Sequence, residues 1–224
     1  MSKKIIIAID GPSGSGKSTI AKYLADKLGA TYIDTGAMYR AITYEALTRN
    51  IADDAEKVVE LVKDIDLQIK YENGITRVFV NGKEVTDYIR SAEVNSKVSD
   101  ISKIPEVRKK MLEIQRELGK SQTVVAEGRD TTTVVFPNAD FKIFLTADLD
   151  VRAERRLKEY KEKGVVITLE EVRDNLAKRD KIDSSREISP LRKAEDAFEV
   201  DSTSLTIQQE LDLLLEKIKD FIEN

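Results

Sequence analysis

The residues best suited to chemistry lie near the amino terminus, in a glycine-rich loop that ends in lysine and serine. The segment 11–18 matches the pattern G-x-x-x-x-G-K-[ST] at every position. An apolar run over 5–9 precedes it and an amphipathic segment over 18–28 follows it, so the loop is expected to join a strand to a helix. Backbone N–H groups of such a loop surround phosphate oxygens, and the helix start adds a positive dipole end. The pattern predicts a nucleoside triphosphate site rather than a coincidental glycine-rich turn.

Two side chains of this loop add charge and metal-binding capacity. Lys17 is able to reach the β- and γ-phosphates of ATP, and the Ser18 hydroxyl is able to bind Mg²⁺. The predicted nucleotide-binding residues are Gly11, Pro12, Ser13, Gly14, Ser15, Gly16, Lys17, Ser18 and Thr19.

Arginines recur where predicted strands end and the following helices begin. Arg40 follows Asp34, and Arg129 follows Glu127, each after a short apolar run. Phosphoryl transfer demands positioning and charge neutralisation, and guanidinium groups stay charged and grip phosphate with two hydrogen bonds. An acceptor that is itself a phosphate is mostly ionised at neutral pH, so it needs no general base. On a predicted helix after the run 146–148 lie Arg152, Arg155 and Arg156, and near a predicted helix end lie Arg179, Asp180, Asp183 and Arg186. The remaining arginines Arg77, Arg90, Arg173 and Arg192 are interpreted as ordinary surface residues.

The composition excludes several classes of chemistry. The 224 residues include no Cys and no His, which excludes disulfides, thiolate metal sites and a histidine base. The net charge of −4 argues against a nucleic-acid coat or binding to an anionic membrane. The apolar run at 5–9, which follows residues 1–4, is too short to be a signal or membrane segment, so the cytoplasm is the expected compartment.

The order of predicted elements indicates an α/β protein with a three-layer fold of the P-loop NTPase type. Strands alternating with helices favour a central parallel sheet with helices on both faces. Over 67–89 the hydrophobic period becomes two, and Asn73-Gly74 and Asn81-Gly82 are hairpin signals, which predicts a small antiparallel insertion. Two capping boxes, at 168–171 and 206–209, predict helix starts. The first of these helices is expected to reach about Arg179. The second is expected to carry a core stripe formed by Ile207, Leu211, Leu214, Leu215 and Ile218. Another helix is expected to end at Gly119.

The motifs together resemble those of bacterial cytidylate kinases, over nearly the whole chain. The segments that carry the resemblance are the loop at 10–18, 34–40, 128–130 with 133–137, and the residues Arg179, Asp180, Asp183 and Arg186. The resemblance implies transfer of the γ-phosphoryl group of ATP to CMP or dCMP, with Mg²⁺.

The resemblance also implies roles for individual residues. Arg40, Arg129 and Arg179 would hold the acceptor phosphate, Asp183 the ribose, and Thr35, Arg108, Asp130 and Arg186 the cytosine, with Tyr39 in the same substrate site. Lys17, Arg129, Arg155, Arg156 and Arg179 would act on the transferring phosphoryl group, and Ser18 and Glu127 would serve the metal ion.

The implied organisation is a single chain with an insert and a lid. The core would comprise about 1–35, 119–150 and 163–224, the monophosphate-binding insert 36–118 with its meander at 66–90, and the lid 151–163. Thr131-Thr132 departs from the family pattern, which usually has an apolar residue and glycine there. A β-branched residue in place of that glycine restricts the conformation of the local turn.

Two other functions remain open from the residues alone. The acceptor could be another small molecule, such as AMP, UMP, dTMP or shikimate. Alternatively, the chain could be a nucleotide-binding switch that hydrolyses ATP slowly, although the acceptor-side arginines would then have no role. A monomer is expected, and the preference between CMP and dCMP stays open.

Overall fold

The computed structural model describes residues 4–72, 74–120, 122–162 and 164–223. The strands are β1 Ile6–Asp10, β2 Thr31–Asp34, β3 Leu67–Glu72, β4 Ile75–Val80, β5 Lys83–Glu84, β6 Val124–Gly128, β7 Phe141–Thr146 and β8 Phe198–Asp201. The helices are α1 Lys17–Leu28, α2 Thr35–Thr48, α3 Ala55–Lys63, α4 Ala92–Ile101, α5 Pro105–Lys120, α6 Leu149–Glu162, α7 Leu169–Ser185 and α8 Ile207–Glu223. Asn73, from the first predicted turn, and residues 1–3 lie outside the described residues.

The central sheet is parallel and has helices on both faces, as predicted. Its five strands run in the order β2-β6-β1-β7-β8. Successive residues of β1 point to opposite faces, so Ile7 and Ile9 join one core with α1 and α8, while Ala8 joins another beside α5. This parallel sheet buries both faces and leaves the carboxyl ends of its strands free for polar residues.

The insertion forms its own small sheet and its own core. Strands β3, β4 and β5 are antiparallel, and the two-residue turn between β4 and β5 has positive φ at Asn81 and Gly82, 50° and 77°. Val78 and Val80 of β4 pack with Met38 of α2 and Met111 of α5 in a core separate from those of the central sheet.

Three sequence predictions about helices need correction. Helix α5 continues through Gly119 to Lys120. A Cβ at Gly119 would lie 2.6 Å from the Phe136 ring, so close packing against that ring explains this glycine better than helix termination. Helix α7 extends to Ser185, beyond Arg179. Ile207 is 55% exposed at the start of α8 and does not belong to the core stripe, whereas Leu211, Leu214 and Ile218 are buried.

Among the described residues, none of the helices combines the length and the apolar composition needed to cross a bilayer.

Candidate active site

A single cleft of about 630 Å³ gathers most of the residues predicted to act. It lies at the carboxyl ends of β1, β2 and β6, where Asp10 is paired with Gly128 and Asp34 with Glu127. The predicted residues that line it are Ser13, Gly14, Gly16, Lys17, Ser18, Thr19, Thr35, Tyr39, Arg40, Glu127, Arg129, Asp130, Arg155, Arg156, Arg179 and Asp183.

The phosphate loop joins β1 to α1, and its glycines are required by geometry. Gly14 and Gly16 have φ values of 79° and 93°, which L side chains rarely adopt. A Cβ at Gly11 would lie 1.9 Å from the Leu145 carbonyl oxygen, so this glycine lets the loop pack against β7. Ser15 is fully buried within the loop. Of the nine predicted nucleotide-binding residues, Gly11, Pro12 and Ser15 support the loop rather than line the cleft.

Lys17 is held inside the loop that it follows. Its Nζ donates to the Pro12 carbonyl oxygen at 2.6 Å and to Ser15 Oγ at 3.3 Å, and the residue is 5% exposed. Burial, and then the nearby charge of Arg129, lower the pKa of Lys17 to about 7. An anion in the cleft would therefore stabilise the protonated form.

Arg152 and Asp180 brace the phosphate loop, a role that sequence reasoning missed. Arg152 Nη1 donates to the Ser13 carbonyl oxygen at 3.0 Å and to Asp180 Oδ2 at 2.6 Å. The other oxygen, Asp180 Oδ1, accepts from the Ser13 N–H at 3.3 Å. The sequence placed Arg152 with Arg155 and Arg156 on one helix, and no signal separated the buried member from the other two.

Arg155 and Arg156 line the cleft from α6 and have partners of their own. The Arg155 guanidinium donates to Ser202 Oγ at 2.9 Å and to the Ser202 carbonyl oxygen at 2.7 Å, just after β8. Arg156 pairs with Glu159 of its own helix at 2.8 Å.

Asp34 joins two arginines at the start of α2. It accepts from the Ala37 N–H at 2.8 Å as the helix cap, from Arg40 at 2.9 Å and from Arg90 at 2.7 Å. Burial alone would raise the pKa of Asp34, but the two guanidiniums outweigh it and lower that pKa. The interpretation of Arg90 as an ordinary surface residue is wrong, because Arg90 lines the cleft. It stands just before α4 without any recognisable motif, so only the fold brings it to Asp34.

Arg129 and Arg179 concentrate positive charge in the middle of the cleft. Arg129 Nε donates to Asp183 Oδ2 at 2.9 Å. Arg179 Nε is buried and has no hydrogen-bond partner among the described residues. Burial, and then the charge of Arg129, lower the pKa of Arg179 to about 10. Positive groups arranged in this way form a site for a bound anion.

Asp130 connects the cleft to two buried arginines behind its wall. It forms a hydrogen-bonded ion pair with Arg108, which also donates to the Ser102 carbonyl oxygen at 3.0 Å. Arg186 Nη2 lies 3.9 Å from Asp130 Oδ1, and the Arg108 guanidinium lies 5.4 Å from the centre of the Tyr39 ring. Arg108 and Arg186 do not line the cleft themselves, although the sequence grouped them with residues that do.

Thr35 and Glu127 are linked across the ends of β2 and β6. The Thr35 hydroxyl donates to the Glu127 carbonyl oxygen at 2.7 Å, and a Cβ at Gly128 would lie 2.4 Å from that hydroxyl. Glycine at 128 is thus required for this contact. The Glu127 carboxylate lines the cleft, and its Oε1 accepts from the Tyr32 hydroxyl at 2.6 Å.

Glu210 is a further cleft residue that sequence reasoning missed, since it lies within the capping turn of α8. It is 2% exposed, and its Oε2 lies 3.8 Å from the position of a Cβ at Gly16. Burial raises the pKa of Glu210 to about 7.

We expect Glu210→Gln to stabilise the protein at pH 8 and to change little at pH 5. The folded pKa lies above the unfolded value, so the wild-type protein loses stability as the pH rises from about 4.5 to 7. Glutamine does not ionise, so the variant avoids this loss. The Tm of Glu210→Gln at pH 8 should be about 2–4 °C higher than that of the wild type. Thermal unfolding at both pH values measures this. Glu216→Gln, on the exposed face of α8, is the control. Equal Tm differences at pH 5 and pH 8 would contradict the assignment.

Comparison with known proteins gives one family. The family model described as cytidylate kinase matches residues 7–220. The chain is 50% identical over 220 residues to the cytidylate kinase of Bacillus subtilis strain 168, covering 98% of each chain. It is 49% identical over 223 residues to the cytidylate kinase of Caldicellulosiruptor bescii, covering 99% of each chain.

A solved structure agrees on the fold alone. An uncharacterized protein from Eubacterium ventriosum superposes with a TM-score of 0.52 at 14% identity, covering 97% of this chain and 99% of that one. The family model and the near full-length relatives decide the family, and they agree with a phosphate loop that faces an arginine-lined cleft. The chain belongs to the cytidylate kinase family and is a nucleoside monophosphate phosphotransferase.

Proposed function

We propose that this protein transfers the γ-phosphoryl group of ATP to CMP or dCMP, giving CDP or dCDP and ADP. The observation that carries the proposal is the convergence of Arg40, Arg129 and Arg179 in the cleft that also holds Lys17. A triphosphate at the loop and a monophosphate at the arginines would account for both sets of positive charge. Membership of the cytidylate kinase family supports cytosine as the base.

The donor would be ATP with Mg²⁺. The loop backbone and Lys17 would bind its phosphates, as their positions on the cleft wall suggest. Mg²⁺ binds hard oxygen ligands and keeps several waters, so the Ser18 hydroxyl and the Glu127 carboxylate, the latter through water, fit such an ion. The metal would neutralise phosphate charge.

The acceptor would be oriented by its phosphate, ribose and base in turn. Arg40, Arg129 and Arg179 would grip its phosphate, and Asp183 would accept from the ribose hydroxyls. Asp130 would accept from the exocyclic amine of cytosine. Thr35, Arg108 and Arg186 would also face the base, and Tyr39 would lie in the same substrate site.

Transfer would be direct and in line, without a general base. The second pKa of a phosphate monoester is about 6, so the attacking oxygen is already ionised at neutral pH. The chief barrier would be repulsion between the two nucleotides, which the arginines relieve. Arg155 and Arg156 would approach the transferring group as the lid closes and excludes water.

We further propose the division into core, insert and lid that the sequence suggests. The insert at 36–118 would bind the monophosphate, and the lid at 151–163 would close over it; the start of the core at 1–3 and position 163 lie outside the described residues. The protein would act as a cytoplasmic monomer on small molecules, without nucleic-acid or membrane partners.

A panel of acceptors tests the proposed function. ADP release would be followed with ATP, Mg²⁺ and each of CMP, dCMP, UMP, AMP and dTMP. The proposal expects CMP and dCMP to be used far better than the others. ADP release that does not depend on any monophosphate would instead support the slow switch.

Asp130→Asn should reduce the preference for CMP over UMP by about 10–100-fold in kcat/KM. A carboxylate only accepts hydrogen bonds, so it favours the amine of cytosine, whereas an amide is also able to donate to the uracil carbonyl. Steady-state kinetics with both nucleotides measure the ratio, and a Tm confirms folding, because Asp130 also pairs with buried Arg108.

Asp100→Asn is the matched control, since this exposed carboxylate forms an ion pair with Lys103, just after α4, and is not among the residues that line the cleft. An unchanged CMP/UMP ratio in Asp130→Asn would remove Asp130 from the base contact.

A further inference from the structure

Asp10 is a fully buried carboxylate at the last position of β1, and its exposure is 0%. Its Oδ1 accepts from the Thr131 N–H at 2.8 Å and also from the Thr131 hydroxyl. Its Oδ2 accepts from the Thr132 N–H at 2.7 Å and from the Thr132 hydroxyl at 2.6 Å. Two threonines therefore supply four hydrogen bonds to one carboxylate. We call this arrangement the Asp10 clamp.

The Asp10 clamp joins the two loops that carry the opposite halves of the cleft. Asp10 directly precedes Gly11 of the phosphate loop, and Thr131 directly follows Asp130. Thr131 begins a short π-helical turn, in which the N–H groups of residues 134 and 135 both donate to the Asp130 carbonyl oxygen, at 2.9 and 3.1 Å. The segment that carries Arg129 and Asp130 is thus tied to the end of β1.

Hydrophobic packing does not explain a carboxylate at this position. Burial disfavours the charged carboxylate and raises the pKa of Asp10, while the hydrogen bonds from Thr131 and Thr132 oppose that effect. A buried acid that needs four donors contributes more to orientation than to net stability. What it orients is the start of the turn behind Arg129 and Asp130.

The phosphate loop has supports that do not depend on the clamp. Arg152 and Asp180 hold Ser13, and Gly11 packs against the Leu145 carbonyl group. If the clamp is weakened, the acceptor-side loop should shift while the donor-side loop keeps its position.

We propose that Asp10, through the hydroxyls of Thr131 and Thr132, is a positioning residue that sets the acceptor-side loop relative to the phosphate loop and so determines the affinity for the monophosphate. This inference rests on the proposed function and adds residues that do not themselves touch a nucleotide. It also accounts for Thr131-Thr132, where the resemblance led us to expect an apolar residue and glycine: the two hydroxyls serve Asp10.

The test uses valine, which is close to threonine in shape and lacks the hydroxyl. Thr131→Val with Thr132→Val should raise the KM for the monophosphate about tenfold and leave the KM for ATP nearly unchanged. Thr133→Val is the matched control, because the buried Thr133 Oγ1 of the same turn has no hydrogen-bond partner among the described residues. Thr132→Ser keeps the hydroxyl, so this single variant should have the wild-type KM for the monophosphate, in contrast to Thr132→Val. If the double variant does not fold, the KM values of Thr132→Val and Thr132→Ser are compared instead.

The acceptor in this test is the monophosphate that the wild type uses best. A wild type that prefers another monophosphate to CMP and dCMP would refute the proposed substrate. The role of Asp10 would then be tested with that preferred monophosphate. The proposed positioning role is refuted if Thr131→Val with Thr132→Val has the same KM values as Thr133→Val. It is also refuted if the KM values for ATP and the monophosphate rise equally and Thr132→Ser shows the same rise as Thr132→Val.

Discussion

Replacing Lys17 with alanine should lower the turnover number by about 10²–10³-fold. Its ammonium group is held at the phosphate loop by Pro12 and Ser15, on the wall of the cleft. In the proposed reaction, a charge fixed there in advance would stabilise the phosphoryl group as negative charge shifts during transfer, and water could not replace it without reorganisation. The measurement is ADP release at saturating ATP, Mg²⁺ and CMP.

A second lysine of the same helix provides the control for this prediction. Lys27 lies in the last turn of α1, exposed, with its ammonium group 5.4 Å from the centre of the Tyr23 ring. Lys27→Ala should retain normal turnover. A Lys17→Ala variant that is folded and nearly as active as Lys27→Ala would refute the assignment of the donor site.

Arg179→Met should reduce kcat/KM for CMP by at least about 10²-fold without lowering the Tm. The Nε of Arg179 is buried without a hydrogen-bond partner among the described residues, and Arg129 lies close enough to help lower its pKa to about 10. In the free protein this charge is disfavoured, because burial and the nearby arginines outweigh the attraction of Asp183. A bound acceptor phosphate, as proposed, would neutralise the same charge. Loss of activity with unchanged or higher stability is the signature of a charge kept for ligand binding.

Arg173→Met on the same helix is the control for Arg179→Met. Arg173 is exposed and pairs with Asp150 at 2.5 Å, so its removal should change neither kcat/KM nor Tm by much. The two measurements are CMP titrations of the initial rate and thermal unfolding without ligand. A Tm that falls in Arg179→Met but not in Arg173→Met would show a structural role for Arg179 instead.

Local signals in the chain were sufficient for the architecture. The apolar runs, the capping boxes and the Asn-Gly turn at 81–82 correctly predicted the parallel sheet, the antiparallel insertion and most helix starts. These signals work because hydrophobic period and turn chemistry act over a few residues. Gly119 shows their limit, since a glycine near a helix end also occurs where another segment packs closely.

The sequence by itself determined the phosphate loop, the order of the elements and the set of charged residues that follow the strands. Only the tertiary structure decided which of those charges meet. It brought Arg90 to Asp34, Arg152 to the phosphate loop and Asp10 to Thr131 and Thr132. The partners in these contacts are separated by 56, 139 and 121 or 122 residues along the chain. Such pairings depend on how the insert, the helices and the strand ends pack together, and no local pattern of residues encodes that distance.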